Sequence, residues 1–184
     1  QDGLNRGKMV ERGSAFVGSS YSVRGLGITV ALSTDGNTVM FGATAYSYEH
    51  AGFSPDDDLN KYDKAQIFVW AGWGWVNYGL FTRGYGTSAE SIDWSRAIAL
   101  SGDGRTVAIA GHNSYRNPSH MPASTTVYSY YRIGTPTADT WVARPELTTT
   151  SVGFGSALAL DEDGLVLAVS DPTLGQGEVT VYSY

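Results

Sequence analysis

The chain has no cysteine, which excludes a disulfide framework, a thiolate zinc site and a cysteine nucleophile together. Charge is sparse as well: only 16% of residues are charged, and 12 Lys and Arg against 18 Asp and Glu leave a formal charge of −6. The basic residues are scattered, so the clustered cationic surface that a nucleic-acid backbone requires is missing. No apolar run approaches the roughly 20 residues of a membrane-spanning helix, and no charged segment followed by an apolar one opens the chain. There is no Asn-x-Ser/Thr glycan acceptor, because Asn117 precedes Pro118. Catalytic spellings are missing too: no HExxH, no GxSxG elbow, no Walker glycine-lysine pair and no Rossmann glycine fingerprint. His50, His112 and His120 stand in no metal-binding pattern, and no enzymatic activity is expected. The start at Gln1 leads to the expectation of a chain processed on export, hence secreted.

What is present is β-forming. Hydrophobic residues make up 42% and aromatics 12%, with 23 glycines, and Val, Ile, Tyr, Trp and Phe suit a pleated, half-buried surface. One pattern organises the whole. An apolar run ends in Asp-Gly and resumes as a second apolar run three times: VALSTDGNTVMFGA from Val30, IALSGDGRTVAIAG from Ile98 and LALDEDGLVLAVSD from Leu158. Each copy predicts two strands joined by a tight turn at Asp35-Gly36, Asp103-Gly104 or Asp163-Gly164.

A third strand with a shared spelling follows each hairpin: IFVW from Ile67, VYSY from Val127 and VYSY from Val181. A fourth begins at Trp75-Val76 and again at Trp141-Val142. The unit is therefore four strands. The connection between second and third strands shortens from Thr44–Ala65, through His112–Thr125, to Asp171–Gly177, as exposed loops tolerate. The third copy stops at Tyr184 after its third strand. Counting back from Asp35 by the spacing between Trp141 and Asp163, or Trp75 and Asp103, lands on Gly7 to Gly13, which predicts an orphan fourth strand there. The expected organisation is a single repeat domain: residues 1–20 as orphan strand and link, 21–85 as repeat 1, 86–147 as repeat 2 and 148–184 as repeat 3. Met9 and Val10 would pair with the strand carrying Val181, Tyr182 and Tyr184.

The unit resembles the FG-GAP repeat of integrin α-type β-propellers, in a divergent form. Phe154-Gly155 retains the first half of that signature, replaced elsewhere by Leu26-Gly27 and Trp94-Ser95. The second half reads Gly42-Ala43-Thr44, Ala110-Gly111-His112 and Ser170-Asp171-Pro172. The resemblance implies an all-β fold of three four-stranded propeller-type blades and an extracellular adhesive or scaffolding role. Three blades are too few for an ordinary closed ring, since propellers use about four or more. The N-terminal strand is therefore expected to complete the last blade within the chain or in a neighbouring subunit, giving a homo-oligomer or a filament.

Two sets of side chains are candidates for ligands. Asp56, Asp58, Asn60 and Asp63 alternate oxygens in the longest loop, a pattern suited to Ca2+, although no Gly bends the loop, Lys64 competes and acid runs are commonly solvated surface. The acids of Asp161-Glu162-Asp163 read first as an ordinary hairpin turn. Among the aromatics, Trp70 aligns with Tyr130 and Tyr184, and Trp75 with Trp141, as packing residues of the repeat. Trp73 and Tyr78 remain as a stacking surface for a glycan or a cell-surface protein. The expectation is thus an extracellular structural protein assembling through its terminal strands, with a lectin-like glycan-binding module as the alternative and no nucleic-acid or membrane partner.

Overall fold

The computed structural model describes residues 10–16, 23–24, 29–45, 63–83, 90–115, 124–134 and 140–184. Among them there is no helix, and the strands form three antiparallel sheets. The protein is all-β. Sheet 1 contains β1 (Val23–Arg24), β2 (Val30–Leu32), β3 (Thr38–Ala45), β4 (Asp63–Trp70) and β5 (Trp75–Arg83). Both β1 and β2 pair with β3, at its two ends, so they act as one interrupted first strand. Sheet 2 contains β6 (Glu90–Leu100), β7 (Thr106–Tyr115), β8 (Ser124–Ile133), β9 (Thr140–Ala143) and β10 (Leu147–Thr149), the last two forming an interrupted fourth strand along β8. Sheet 3 contains β11 (Leu158–Leu160), β12 (Val166–Asp171) and β13 (Glu178–Ser183). Every sheet is a simple meander, and β13 has one strand neighbour, β12, among the described residues.

The ladders run further than the sequence pattern predicts. β3 extends to Ala45 and β4 starts at Asp63; β7 extends to Tyr115 and β8 starts at Ser124. Part of each predicted loop is therefore paired strand, because polar residues such as Asn113 and Ser124 satisfy the ladder through backbone groups alone.

The Asp-Gly turns share one construction. Gly36, Gly104 and Gly164 have φ of 67°, 70° and 69°, a region that costs a side-chain-bearing residue roughly 1–2 kcal/mol. In turn 1 the Ser33 hydroxyl donates to Asp35 at 2.6 Å, and Ser33 Oγ accepts from the Thr38 amide at 2.9 Å. Ser101, Asp103 and Thr106 repeat both bonds in turn 2. In turn 3 Asp161 stands where the serines do and accepts the Val166 amide through its carboxylate.

Sheet 2 is buried between the other two. Ile98, Leu100, Val107 and Ile109 on one face pack with Met40, Ala65, Ile67 and Phe81 of sheet 1. On the opposite face Ala97, Ala99, Ala108, Ala110 and Val127 pack with Leu167 and Val169 of sheet 3. Successive side chains point to opposite faces, so a strand covered on both sides reads as an unbroken apolar run. The turns are linked in the same order: the Thr34 amide donates to Gly102 O, and the amides of Gly102 and Asp103 donate to Asp161 O and Glu162 O.

Candidate assembly surface

The stacking has a direction. A methyl group placed on Gly104 would collide with Thr38, and one on Gly164 with Thr106. Each turn glycine thus sits on the preceding sheet, three positions past that sheet's own turn aspartate. The face of sheet 2 turned toward sheet 3 carries small residues, and the face of sheet 3 that fills it carries Leu158, Leu160, Leu167, Val169 and Tyr182.

Among the described residues, both ends of the stack present a face of this kind with no sheet upon it. By residue count from the turn aspartates, Ala157, Ala159, Ala168 and Ser170, in and just before sheet 3, occupy the positions that Ala97, Ala99, Ala108 and Ala110 occupy in sheet 2, and Val179 lies opposite Ser170 as Val127 lies opposite Ala110, with Val181 opposite Ala168 on the same face. In sheet 2 these residues are buried; in and beside sheet 3 Ala157 and Ala159 are exposed, and Val179 and Val181 are 66% and 63% exposed. At the other end, Val30, Leu32, Val39 and Phe41 of sheet 1 match Leu158, Leu160, Leu167 and Val169 of sheet 3 by the same count, and Phe68 lies opposite Val39 as Tyr182 lies opposite Leu167. Leu32 is 59% exposed, Val30 is exposed on the same strand, and Leu80 is exposed on the same face of the sheet at its opposite edge.

Residues 10–16 cover part of that sheet 1 face. Phe16 lies 4.9 Å from Phe41 and 4.6 Å from Phe68, centroid to centroid. The Trp75 indole donates to Arg12 O at 2.8 Å, while the equivalent Trp141 donates to Tyr78 O at 3.1 Å, each across 63 residues. Gly13 and Gly79 follow those acceptors, and a methyl group on either would lie 2.9–3.0 Å from an indole ring. The Arg12 guanidinium donates to Gly36 O and stacks 4.7 Å over Trp70; Arg144 donates to Gly164 O and stacks 4.0 Å over Tyr184. Arg12 and Gly13 therefore meet sheet 1 as Tyr78 and Gly79 of β5 meet sheet 2. They have the place of a fourth strand of a preceding sheet, without forming a strand themselves.

The expected assembly residues fall into two groups. Met9 lies outside the described residues. Val10 is exposed and is not in a strand, and its segment is held by sheet 1 rather than by β13. Among the described residues, 10–16 meet sheet 1 through Arg12, Gly13 and Phe16, and none of them pairs with β13. Val181 and Tyr182 lie in β13, with Tyr182 facing sheet 2 and Val181 facing away. Tyr184 is held inward: its hydroxyl donates to Ser129 Oγ at 2.7 Å.

Of the ligand candidates, Trp73 is 81% exposed at the turn between β4 and β5. Tyr78 is half-buried beneath the Arg132 guanidinium, at 5.0 Å, where sheets 1 and 2 meet. Asp56, Asp58 and Asn60 lie outside the described residues, as do His50, His120 and Leu26-Gly27; Asp63 opens β4, its backbone opposite Arg83. Among the described residues no group of three or more His, Asp or Glu side chains is placed to hold a metal. The turn 3 acids serve as acceptors: Asp161 for Val166 N, Glu162 for the Thr34 hydroxyl at 2.8 Å, and Asp163 for Leu165 N.

Three carboxylates are held below the ordinary range. Asp35 is lowered chiefly by the Ser33 hydroxyl and then by Asn37, Asp161 by the Val166 amide, and Asp171 by the hydroxyls of Ser151 and Thr173. All of them stabilise loops at the ends of strands. Among the described residues no helix is long and apolar enough to cross a membrane. No family model, no curated protein and no solved structure matches the chain.

Proposed function

We propose that this chain is an extracellular structural or scaffolding protein built from FG-GAP-like repeats, whose sheets are propeller-type blades and whose terminal strands join copies into an oligomer or filament. The observation that carries this reading is the offset between the two ends. Arg12 and Gly13 take a fourth strand's place on sheet 1, while β13 exposes an unpaired edge among the described residues. An unpaired edge recruits another strand. The FG-GAP resemblance is supported by Phe154, packed into the core between sheets 2 and 3, and by Gly155, whose amide donates to Ser170 O at 2.8 Å. Light scattering after gel filtration, with negative-stain imaging of the same fraction, tests the reading. Particles larger than the 19.7 kDa chain are expected, and a monomer at every concentration would contradict it.

A second reading, a glycan-binding module, draws on the exposure of Trp73, since an isolated indole offers a face to a sugar ring. Trp73→Ala is then expected to abolish binding on a glycan array without changing particle size; an array with no bound glycan removes this reading.

A further inference from the structure

We propose that the outer face of sheet 3 docks on the outer face of sheet 1 of a second copy, reproducing between chains the contact that sheets 2 and 3 make within one. The inference deepens the assembly reading and rests on it: there, copies join through a strand edge; here, the buried surface is an entire sheet face.

Repetition carries the argument. The small-residue face of sheet 2 receives the large apolar residues of sheet 3. That same small-residue face recurs on sheet 3, with Ala157, Ala159, Ala168 and Val179 at matching positions and Val181 on the same face, and it is uncovered among the described residues. The matching large-residue face recurs on sheet 1 and bears the exposed Val30 and Leu32. The chain therefore displays both halves of an interface that it already forms internally, at opposite ends of the stack. A face that fits another face elsewhere on the same molecule makes a head-to-tail contact between copies.

Residues 10–16 supply an independent observation. They sit on sheet 1 as a fourth strand sits on the sheet that follows it, so a sheet docked there would lie beside them with its third strand. In the second copy that strand is β13. Docking would also close a cavity of about 390 Å³ between β10 and β13, lined by Leu147, Phe154, Thr180 and Tyr182 among others. A fourth strand alongside β13 would lie over β10, as Trp141 of β9 lies over Tyr78 of β5. Face and edge are then satisfied by one copy in one orientation.

The test uses two variants, each of which spoils one half. Val181→Glu places a carboxylate on the sheet 3 face, and Leu32→Glu on the sheet 1 face. Both side chains are exposed in the single chain, so each variant is expected to keep the wild-type melting curve at high dilution. Burying an unpaired carboxylate weakens the contact on the order of a hundredfold or more, so each variant alone is expected to elute as a monomer. Mixed in equal amounts they restore one intact interface, since Leu32→Glu keeps the sheet 3 face and Val181→Glu keeps the sheet 1 face; a dimer containing one of each is expected. Ile133→Glu, an exposed position at the end of β8 in the central sheet, is expected to assemble as wild type. If the wild type assembles but Val181→Glu and Leu32→Glu assemble equally well, or their mixture stays monomeric, face docking is overturned while assembly stands. A monomeric wild type overturns both.

Discussion

Sheets 2 and 3 carry almost the same side chains on their forward faces, yet one face is core and the other is surface. Ala97, Ala99, Ala108, Ala110 and Val127 are buried; Ala157, Ala159 and Val179, at matching positions, are exposed, as is Val181 on the same face. The residue type follows the position in the repeat, whereas burial follows whatever is stacked next. A composition chosen for the inside, found on the outside, is an argument about a missing neighbour. It is stronger than a general remark on exposed apolar residues, which are common on any protein.

The largest way to sharpen the contrast is to remove volume on either side of it. Ile109, fully buried in β7, is expected to cost about 3 kcal/mol or more when changed to Ala, whereas Val181→Ala is expected to cost less than about 0.5 kcal/mol in the isolated chain. Chemical denaturation at low protein concentration reads both. Equal losses would erase the distinction between the two faces.

The turn glycines offer the same comparison at smaller scale. Gly164→Ala meets both a strained φ and the Thr106 side chain, and is expected to cost about 2–3 kcal/mol. Gly36→Ala meets only the φ penalty, about 1 kcal/mol, because its nearest neighbour is Arg12 Nη1 at 3.8 Å. In the assembled state the Gly36 cost should rise toward that of Gly164, since the turn would then rest on Val166 of another copy.

Removing the hold on residues 10–16 comes next. Arg12→Ala loses the donations to Gly36 O and Asn37 Oδ1 and the stacking on Trp70, with an expected loss of about 1 kcal/mol for these exposed contacts. Limited proteolysis should then cut this segment first, while Arg132→Ala, between sheets 1 and 2, leaves it protected.

Acid has the smallest effect. Asp35, Asp161 and Asp171 have lowered pKa values in the fold, so their contribution is present above the unfolded value near 4. It is lost as pH falls through the lower folded value. Melting temperature is expected to hold from pH 7 to about 5 and to decline below about 4, with Asp35→Asn showing a shallower decline.

Much of this architecture is legible in the spelling of the repeat. The Asp-Gly turns, the aromatic third strand and the Trp at the fourth mark four strands because a pleated ladder needs alternation and its turns need glycine at positive φ. Counting alone directs attention to Gly7–Gly13, and Arg12 and Gly13 prove to contact sheet 1 as a fourth strand would. The partner of that segment was not legible: which sheet it touches depends on Arg12 reaching Gly36 and Phe16 reaching Phe41, contacts with no periodicity. Tyr78 misleads for a related reason. It has no matching aromatic in the next repeat, where Arg144 stands at the same count, so nothing in the pattern marks it as an inter-sheet residue. The unequal faces follow from simple alternation, but their meaning depends on the direction of stacking, which only Gly104 on Thr38 and Gly164 on Thr106 reveal.

The most direct test of the account is hydrogen–deuterium exchange over β13 and β7, followed across protein concentration. The account predicts that β7 is protected throughout, that β13 becomes slower to exchange as concentration rises, and that Leu32→Glu, a change on the other end of the molecule, abolishes the slowing. Exchange of β13 at one rate at every concentration, alike in wild type and variant, would contradict it.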